Sequence, residues 1–187
     1  MRYVIGFLIG IGLIVLTFVL IVRIFGGGGE EAGPRPVDLN SYATTDTVMR
    51  LTMDGPIVSE QKHEQVRITV GRDQVLFERF KGYQGDVVAT KSYPNNPDAY
   101  AQFLHALNVA GYTQGDPEAP KDERGFCPTG RRFVYEAIGD GENILRWWNT
   151  SCGGDQGNFQ GRAGDIRRLF TRQVPDYNEL VRGTIFY

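Results

Sequence analysis

The longest apolar stretch of this chain lies at its amino terminus, where residues 3–22 carry no charged side chain. At about 1.5 Å per helical residue, such a stretch is roughly 30 Å long and matches the hydrocarbon core of a bilayer. A single helix also satisfies its own backbone hydrogen bonds in that environment. The sequence therefore predicts a transmembrane anchor over residues 1–25, which contacts the membrane through residues 3–25.

A cleaved signal peptide is the alternative interpretation of this stretch. A signal peptide has a shorter apolar core, of roughly 7 to 15 residues, and ends at a small-x-small cleavage site. Here Val22 is followed by Arg-Ile-Phe and then by four glycines. We therefore expect an uncleaved signal-anchor, a Gly/Pro linker over residues 26–37 and a water-soluble domain over residues 38–187.

Small residues on one stripe of the predicted anchor, Gly6, Gly10 and Thr17, have the spacing that lets two membrane helices approach closely. This stripe predicts a possible homodimer contact. The alternative is that the glycines have no such role, because glycine is common in membrane helices in general.

The chain has two cysteines, Cys127 and Cys152, and both fall in the soluble part. A pair of this kind is typical of a disulfide in an oxidising compartment, whereas a structural zinc site needs four ligands, which His63 and His105 do not complete. We therefore predict a single-pass protein of the cell membrane with its carboxy-terminal domain outside the cytoplasm. The alternative is a cytoplasmic domain with two reduced, buried cysteines.

The soluble part is mildly acidic. Without Arg2 and Arg23 of the anchor, 18 of the 20 Lys and Arg remain against 22 Asp and Glu, so we expect no nucleic-acid partner. Its roughly 150 residues suit one domain with a substantial core. Since no stretch matches a cofactor, metal or catalytic motif, we expect no cofactor, no metal ion and no enzymatic activity.

Alternating apolar residues predict strands in four stretches of the first half of the domain: residues 46–53, 66–70, 75–80 and 86–93. A helix is predicted after them, with Asn96 as its cap, Pro97 at its first position and Gly111 just beyond its end. A second helix is expected to start at Asp165. The predicted fold is therefore α+β, one antiparallel sheet with helices packed against it.

A hairpin is predicted from residues 132–138 and 144–151. Pairing Ile138 with Ile144 separates its side chains into two faces. The face predicted to be core carries Phe133, Tyr135, Leu145 and Trp147. The opposite face carries Val134, Arg146 and Trp148, and an outward tryptophan beside an arginine is a possible binding surface for an envelope protein, peptide or glycan. The alternative for this face is ordinary cover by the C-terminal helices.

The second helix carries arginines on its polar side at Arg167, Arg168 and Arg172. They have the charge to meet phosphate or an anionic polymer, and the alternative is a solvated helix face. Neither histidine is assigned chemistry, because His63 is expected in a solvated connection and His105 on an exposed helix face.

The strand of residues 145–150, followed by Ser151, Cys152 and downstream Arg162, resembles the sortase strand that ends in Thr-Cys and precedes the catalytic Arg. This resemblance implies a cysteine transpeptidase with Cys152 as its nucleophile, with Ser151 where the family has Thr. A disulfide to Cys127 would abolish that nucleophile.

Over residues 47–155 the order of elements resembles uncharacterised bacterial lipoproteins and membrane-anchored surface proteins, which run strands, an amphipathic helix and a Cys-flanked hairpin. That resemblance implies a fold and a location but no activity. The function predicted from the sequence is therefore a non-enzymatic binding or scaffolding module of the cell envelope. A divergent sortase-like transpeptidase is the alternative.

Overall fold

The computed structural model describes residues 37–153 and 157–186. The predicted anchor, its Gly6, Gly10 and Thr17 contact and the linker up to residue 36 lie outside these residues. Among the helices that are described, none is both long and apolar enough to cross a bilayer. Residues 37–187 form one compact unit.

Six antiparallel strands of the described residues form a single sheet in the order β4-β3-β2-β1-β5-β6. The strands are β1 Val48–Asp54, β2 Glu64–Val70, β3 Gln74–Lys81, β4 Asp86–Pro94, β5 Arg132–Gly139 and β6 Glu142–Thr150. The first strand is therefore central, flanked by β2 on one side and by β5 on the other. The sheet and its packed helices confirm the predicted α+β class.

The helices are α1 Pro97–Val109, α2 Ala163–Thr171 and α3 Tyr177–Leu180, and two 3₁₀ turns span Leu39–Tyr42 and Glu60–Lys62. The capping of α1 is as predicted, because the Asn96 side chain accepts from the Ala99 amide at 2.9 Å and Gly111 has φ +80°. Helix α2 begins two residues before the predicted start at Asp165, which lies in its first turn.

The core lies between one face of the sheet and helices α1 and α2. All four apolar residues of the α1 stripe are buried, namely Tyr100, Phe103, Leu104 and Leu107. Phe103 meets Phe170 of α2 edge-on, with 5.1 Å between ring centroids. The Tyr112 hydroxyl lies 2.9 Å from the Arg50 carbonyl and 2.8 Å from that of Glu136, at the junction of β1 and β5. The two halves of the sheet are thereby fixed to the layer of helices.

The β5–β6 hairpin has the predicted register over most of its length, since Tyr135 pairs with Trp147 and Val134 with Trp148. The predicted pairing of Ile138 with Ile144 is wrong, because a bulge follows Ala137 and Ile138 pairs with Asn143. The connection is the two-residue turn Asp140-Gly141, and both residues have positive φ. Such a turn is compact enough for residues 142 and 143 to join the strand.

Candidate functional site

The hairpin face that was predicted to bind a partner is covered. Trp148 has no exposed surface and Val134 is buried as well. The Phe126 ring lies 4.9 Å from that of Trp148, and the indole donates a hydrogen bond of 2.7 Å to the Pro120 carbonyl. The surface of Val134, Arg146 and Trp148 is therefore corrected to a small second core, and its cover includes the long loop before β5.

Arg146, the charged member of that face, is committed to structural contacts. Its guanidinium is 2.6 Å from the Glu123 carboxylate and 3.6 Å from that of Glu136, and it also donates to the Lys121 carbonyl at 2.8 Å. The positive charge of Arg146 is therefore compensated, and this guanidinium is not free to bind a ligand.

The cysteines form a disulfide, Cys127–Cys152, as predicted, with 5.7 Å between the Cα atoms. It joins the loop that covers Trp148 to the end of β6. A sulfur in a disulfide has no thiolate, so Cys152 is not a nucleophile in this structure. His105 and Arg162 line a groove between α1 and α2 that Cys152 does not line. Cys152 and Arg162, which the sortase comparison brings together, are therefore not placed in one site.

A different site lies at the open end of the same hairpin, in a groove of about 740 Å³ between the sheet and α2. We call it the arginine cleft, because the charged residues that line it are Arg131, Arg167 and Arg168. No carboxylate is among its described lining residues. Arg131 comes from the start of β5 and the other two from α2, so two separate elements bring positive charge to one groove.

Two of these arginines make no ion pair with any acid in the described part of the chain. The Arg167 guanidinium lies 4.3 Å over the Phe133 ring, which holds it across the cleft. Two hydrogen bonds of 2.8 Å fix the Arg131 backbone to Ser151. The Arg131 amide donates to the Ser151 hydroxyl, and the Ser151 amide donates to the Arg131 carbonyl. By contrast, Arg168 is paired with Asp165.

The positive charge of the cleft acts on nearby phenols. Burial raises the pKa of Tyr177 to about 12, and Arg131 opposes that rise. Burial likewise raises the pKa of Tyr135 to about 12, against the opposing effect of Arg167. A cation that lowers the pKa of a phenol favours negative charge in its surroundings, and it would do the same for a bound anion.

The neighbour of Arg131 in sequence, Arg132, belongs to a buried ionic network. Its Nε donates to the Asp54 carboxylate at 2.9 Å. His63 Nε2 lies 3.0 Å from the other oxygen of Asp54, an electrostatic contact without hydrogen-bond alignment. The Tyr83 ring stacks on His63 with 4.0 Å between centroids. The predicted solvated His63 is therefore wrong, because the turn after β3 brings an aromatic ring over it.

No protein family matches this chain, and no curated protein matches it either. The function is therefore argued from the chemistry of the site.

Proposed function

We propose that this protein is a membrane-tethered, extracytoplasmic binding module without catalytic activity, and that it takes an anionic envelope ligand in the arginine cleft. The tether rests on the apolar stretch of residues 3–22, and the location rests on the Cys127–Cys152 disulfide. The observation that carries the binding role is that Arg131 and Arg167 line one groove that has no carboxylate among its described lining residues.

The charge of the rest of the domain makes this groove distinctive. Three of the 20 Lys and Arg and two of the 22 Asp and Glu precede residue 37, so the remainder of the chain is net negative. A basic groove on an acidic domain concentrates anions at one place and repels them elsewhere. The planar guanidinium fork also matches the oxygens of carboxylates and phosphates.

A solvated helix face, the alternative for the α2 arginines, accounts less well for this arrangement. Solvated arginines on one helix need no partner element. Here Arg131 arrives from the sheet, with its backbone held by Ser151, and lines the same groove as Arg167, whose guanidinium rests on Phe133. Convergence from two elements is what a binding groove requires.

The binding role is tested with the full-length protein in nanodiscs of phosphatidylcholine, a lipid without net charge. Fluorescent dextran sulfate serves as a generic polyanion. We expect the double variant Arg131→Gln/Arg167→Gln to lose most of the binding. The matched control is Arg172→Gln, which removes the same charge from the end of α2 but does not line the cleft. Equal binding by the wild type and the double variant would refute the binding role.

The location is tested separately, by mass spectrometry of non-reduced peptides from membranes of the native host. A Cys127–Cys152 cross-linked peptide is expected. Two free thiols would place the domain in a reducing compartment and would refute the extracytoplasmic part of the proposal.

A further inference from the structure

We propose that the arginine cleft recognises a phosphate monoester group. This inference rests on the proposed function, because it names the chemical class of the anion that the cleft takes. Two features carry it: the charge balance of the cleft and its supply of hydrogen-bond donors.

The charge balance favours a dianion. Arg131 and Arg167 are unpaired within the described residues, whereas Arg168 shares the Asp165 carboxylate with Arg162. A phosphate monoester carries a charge of about −1.5 to −2 at neutral pH and therefore balances two guanidinium groups. A single carboxylate or a phosphodiester carries one negative charge and leaves one of the two arginines uncompensated.

The polar groups around these arginines can donate hydrogen bonds. Guanidinium groups are donors only. The Asn149 side-chain oxygen already accepts from the Tyr135 hydroxyl at 3.0 Å, which leaves its amide nitrogen to face a ligand as a donor. The Ser151 hydroxyl oxygen accepts from the Arg131 amide, so its own proton is available to a ligand oxygen.

The cleft therefore offers hydrogen-bond donors from both arginines, Asn149 and Ser151.

This set of donors discriminates among ligands by geometry. A carboxylate has two oxygens in one plane, and a single guanidinium fork satisfies both. A phosphate monoester presents three terminal oxygens in a tetrahedral arrangement, which can contact donors on several sides at once. Sugar hydroxyls donate hydrogen bonds as well as accept them. The cleft groups named above act as donors, so they do not accept hydrogen bonds from sugar hydroxyls.

The test is isothermal titration of the full-length protein in phosphatidylcholine nanodiscs with inorganic phosphate, glycerol phosphate and succinate. Succinate matches the charge of the phosphate dianion but carries it on two planar carboxylates. We expect both phosphates to bind at least tenfold more tightly than succinate. The affinity for glycerol phosphate should also rise as pH increases through about 6, where the second proton of a phosphate monoester is lost.

Two variants and one control locate the site. Arg131→Gln and Arg167→Gln should each weaken phosphate binding about tenfold, since each removes charged hydrogen bonds. Arg172→Gln should leave the affinity unchanged. Because Arg131 is exposed, Arg131→Gln remains informative even if Arg167→Gln loses stability with its Phe133 contact.

The source of the phosphate is decided by repeating the titration in nanodiscs that contain phosphatidic acid. Weaker binding of glycerol phosphate in those discs would identify a lipid headgroup as the ligand, and unchanged binding would identify a soluble or polymer-linked phosphate. Equal affinity for succinate and phosphate would refute the phosphate inference but leave the anion-binding function standing. Binding of neither would refute both.

Discussion

Arg131 and Arg132 are adjacent in the chain but lie in opposite environments. Arg132 is 3% exposed and donates to Asp54, whereas Arg131 is exposed at the arginine cleft. The alternation of a strand places the two side chains on opposite faces of the sheet. One arginine therefore holds the start of β5 in place, and the other remains exposed at the groove.

This contrast predicts different effects on stability. Arg132→Gln leaves the Asp54 carboxylate beside His63 without its main partner, and breaking a buried pair in this way typically costs about 3 to 5 kcal/mol. Arg131→Gln should change the free energy of unfolding by less than about 0.5 kcal/mol. Urea unfolding of the two variants measures both values. Similar losses would show that Arg131 is structural too.

The two tryptophans of β6 should also differ. Trp148 is fully buried and Trp147 is only partly so. Trp148→Ala should therefore cost about 3 to 5 kcal/mol, and Trp147→Ala about 1 to 3 kcal/mol. Chemical denaturation of both variants checks the order, with Trp148→Phe as a milder control. A larger loss at Trp147 would contradict the burial of the outer face.

The sequence alone suggests the reverse order, with Trp147 in the core and Trp148 facing outward. The reason for the difference is local. Alternation identified which residues share a face of the hairpin, and the pairing of Tyr135 with Trp147 was predicted correctly. It did not show what covers the second face, because the loop of residues 114–125 is rich in charge and proline, a composition typical of a solvated loop. Phe126 next to that loop was the available signal that part of it turns inward.

The disulfide should contribute substantially to stability. It links residues 25 positions apart, and chain-entropy arguments give about 3 kcal/mol for a loop of this size. Reduction should therefore lower the melting temperature of the wild type. The Cys127→Ala/Cys152→Ala double variant is the control, since its melting temperature should be low from the start and should not respond to reductant. An unchanged wild-type melting temperature on reduction would contradict this contribution.

Alkaline pH should destabilise the domain through its buried tyrosines. Burial raises the pKa of Tyr135 and of Tyr177 to about 12, while an unfolded chain has a tyrosine pKa near 10. The unfolded chain therefore loses these protons first, so stability is complete below about pH 10 and falls as pH rises toward about 12. Unfolding free energies across that window should decline less steeply in Tyr177→Phe. An identical slope in that variant would exclude a contribution from Tyr177.

The soluble part should fold without its amino-terminal segment. Residues 37–187 form one compact unit, so a chain of residues 38–187 should show cooperative thermal unfolding. Aggregation, or a broad transition without cooperativity, would show that residues 1–37 contribute to the fold.

The components of the arginine cleft were only partly predictable. The arginines of α2 stand out in the sequence because they lie opposite an apolar stripe, and their attraction to phosphate or an anionic polymer was one of two interpretations. Arg131 gave no such signal, since nothing local distinguishes it from Arg132. Its place opposite α2 depends on tertiary packing of the hairpin against that helix, which periodicity does not encode.

The central position of β1 has a consequence for how the domain forms. Its first hydrogen-bonding edge is closed by β2 soon after synthesis. Its second edge waits for β5, which begins at Arg132. During that interval a nascent chain with four strands already made exposes an unpaired edge beside Met49 and Leu51. Pairings between distant segments form slowly, and open edges recruit strands from other chains. Strand β1, which is paired along both edges in the finished domain, is thus exposed along one edge while the chain is being made.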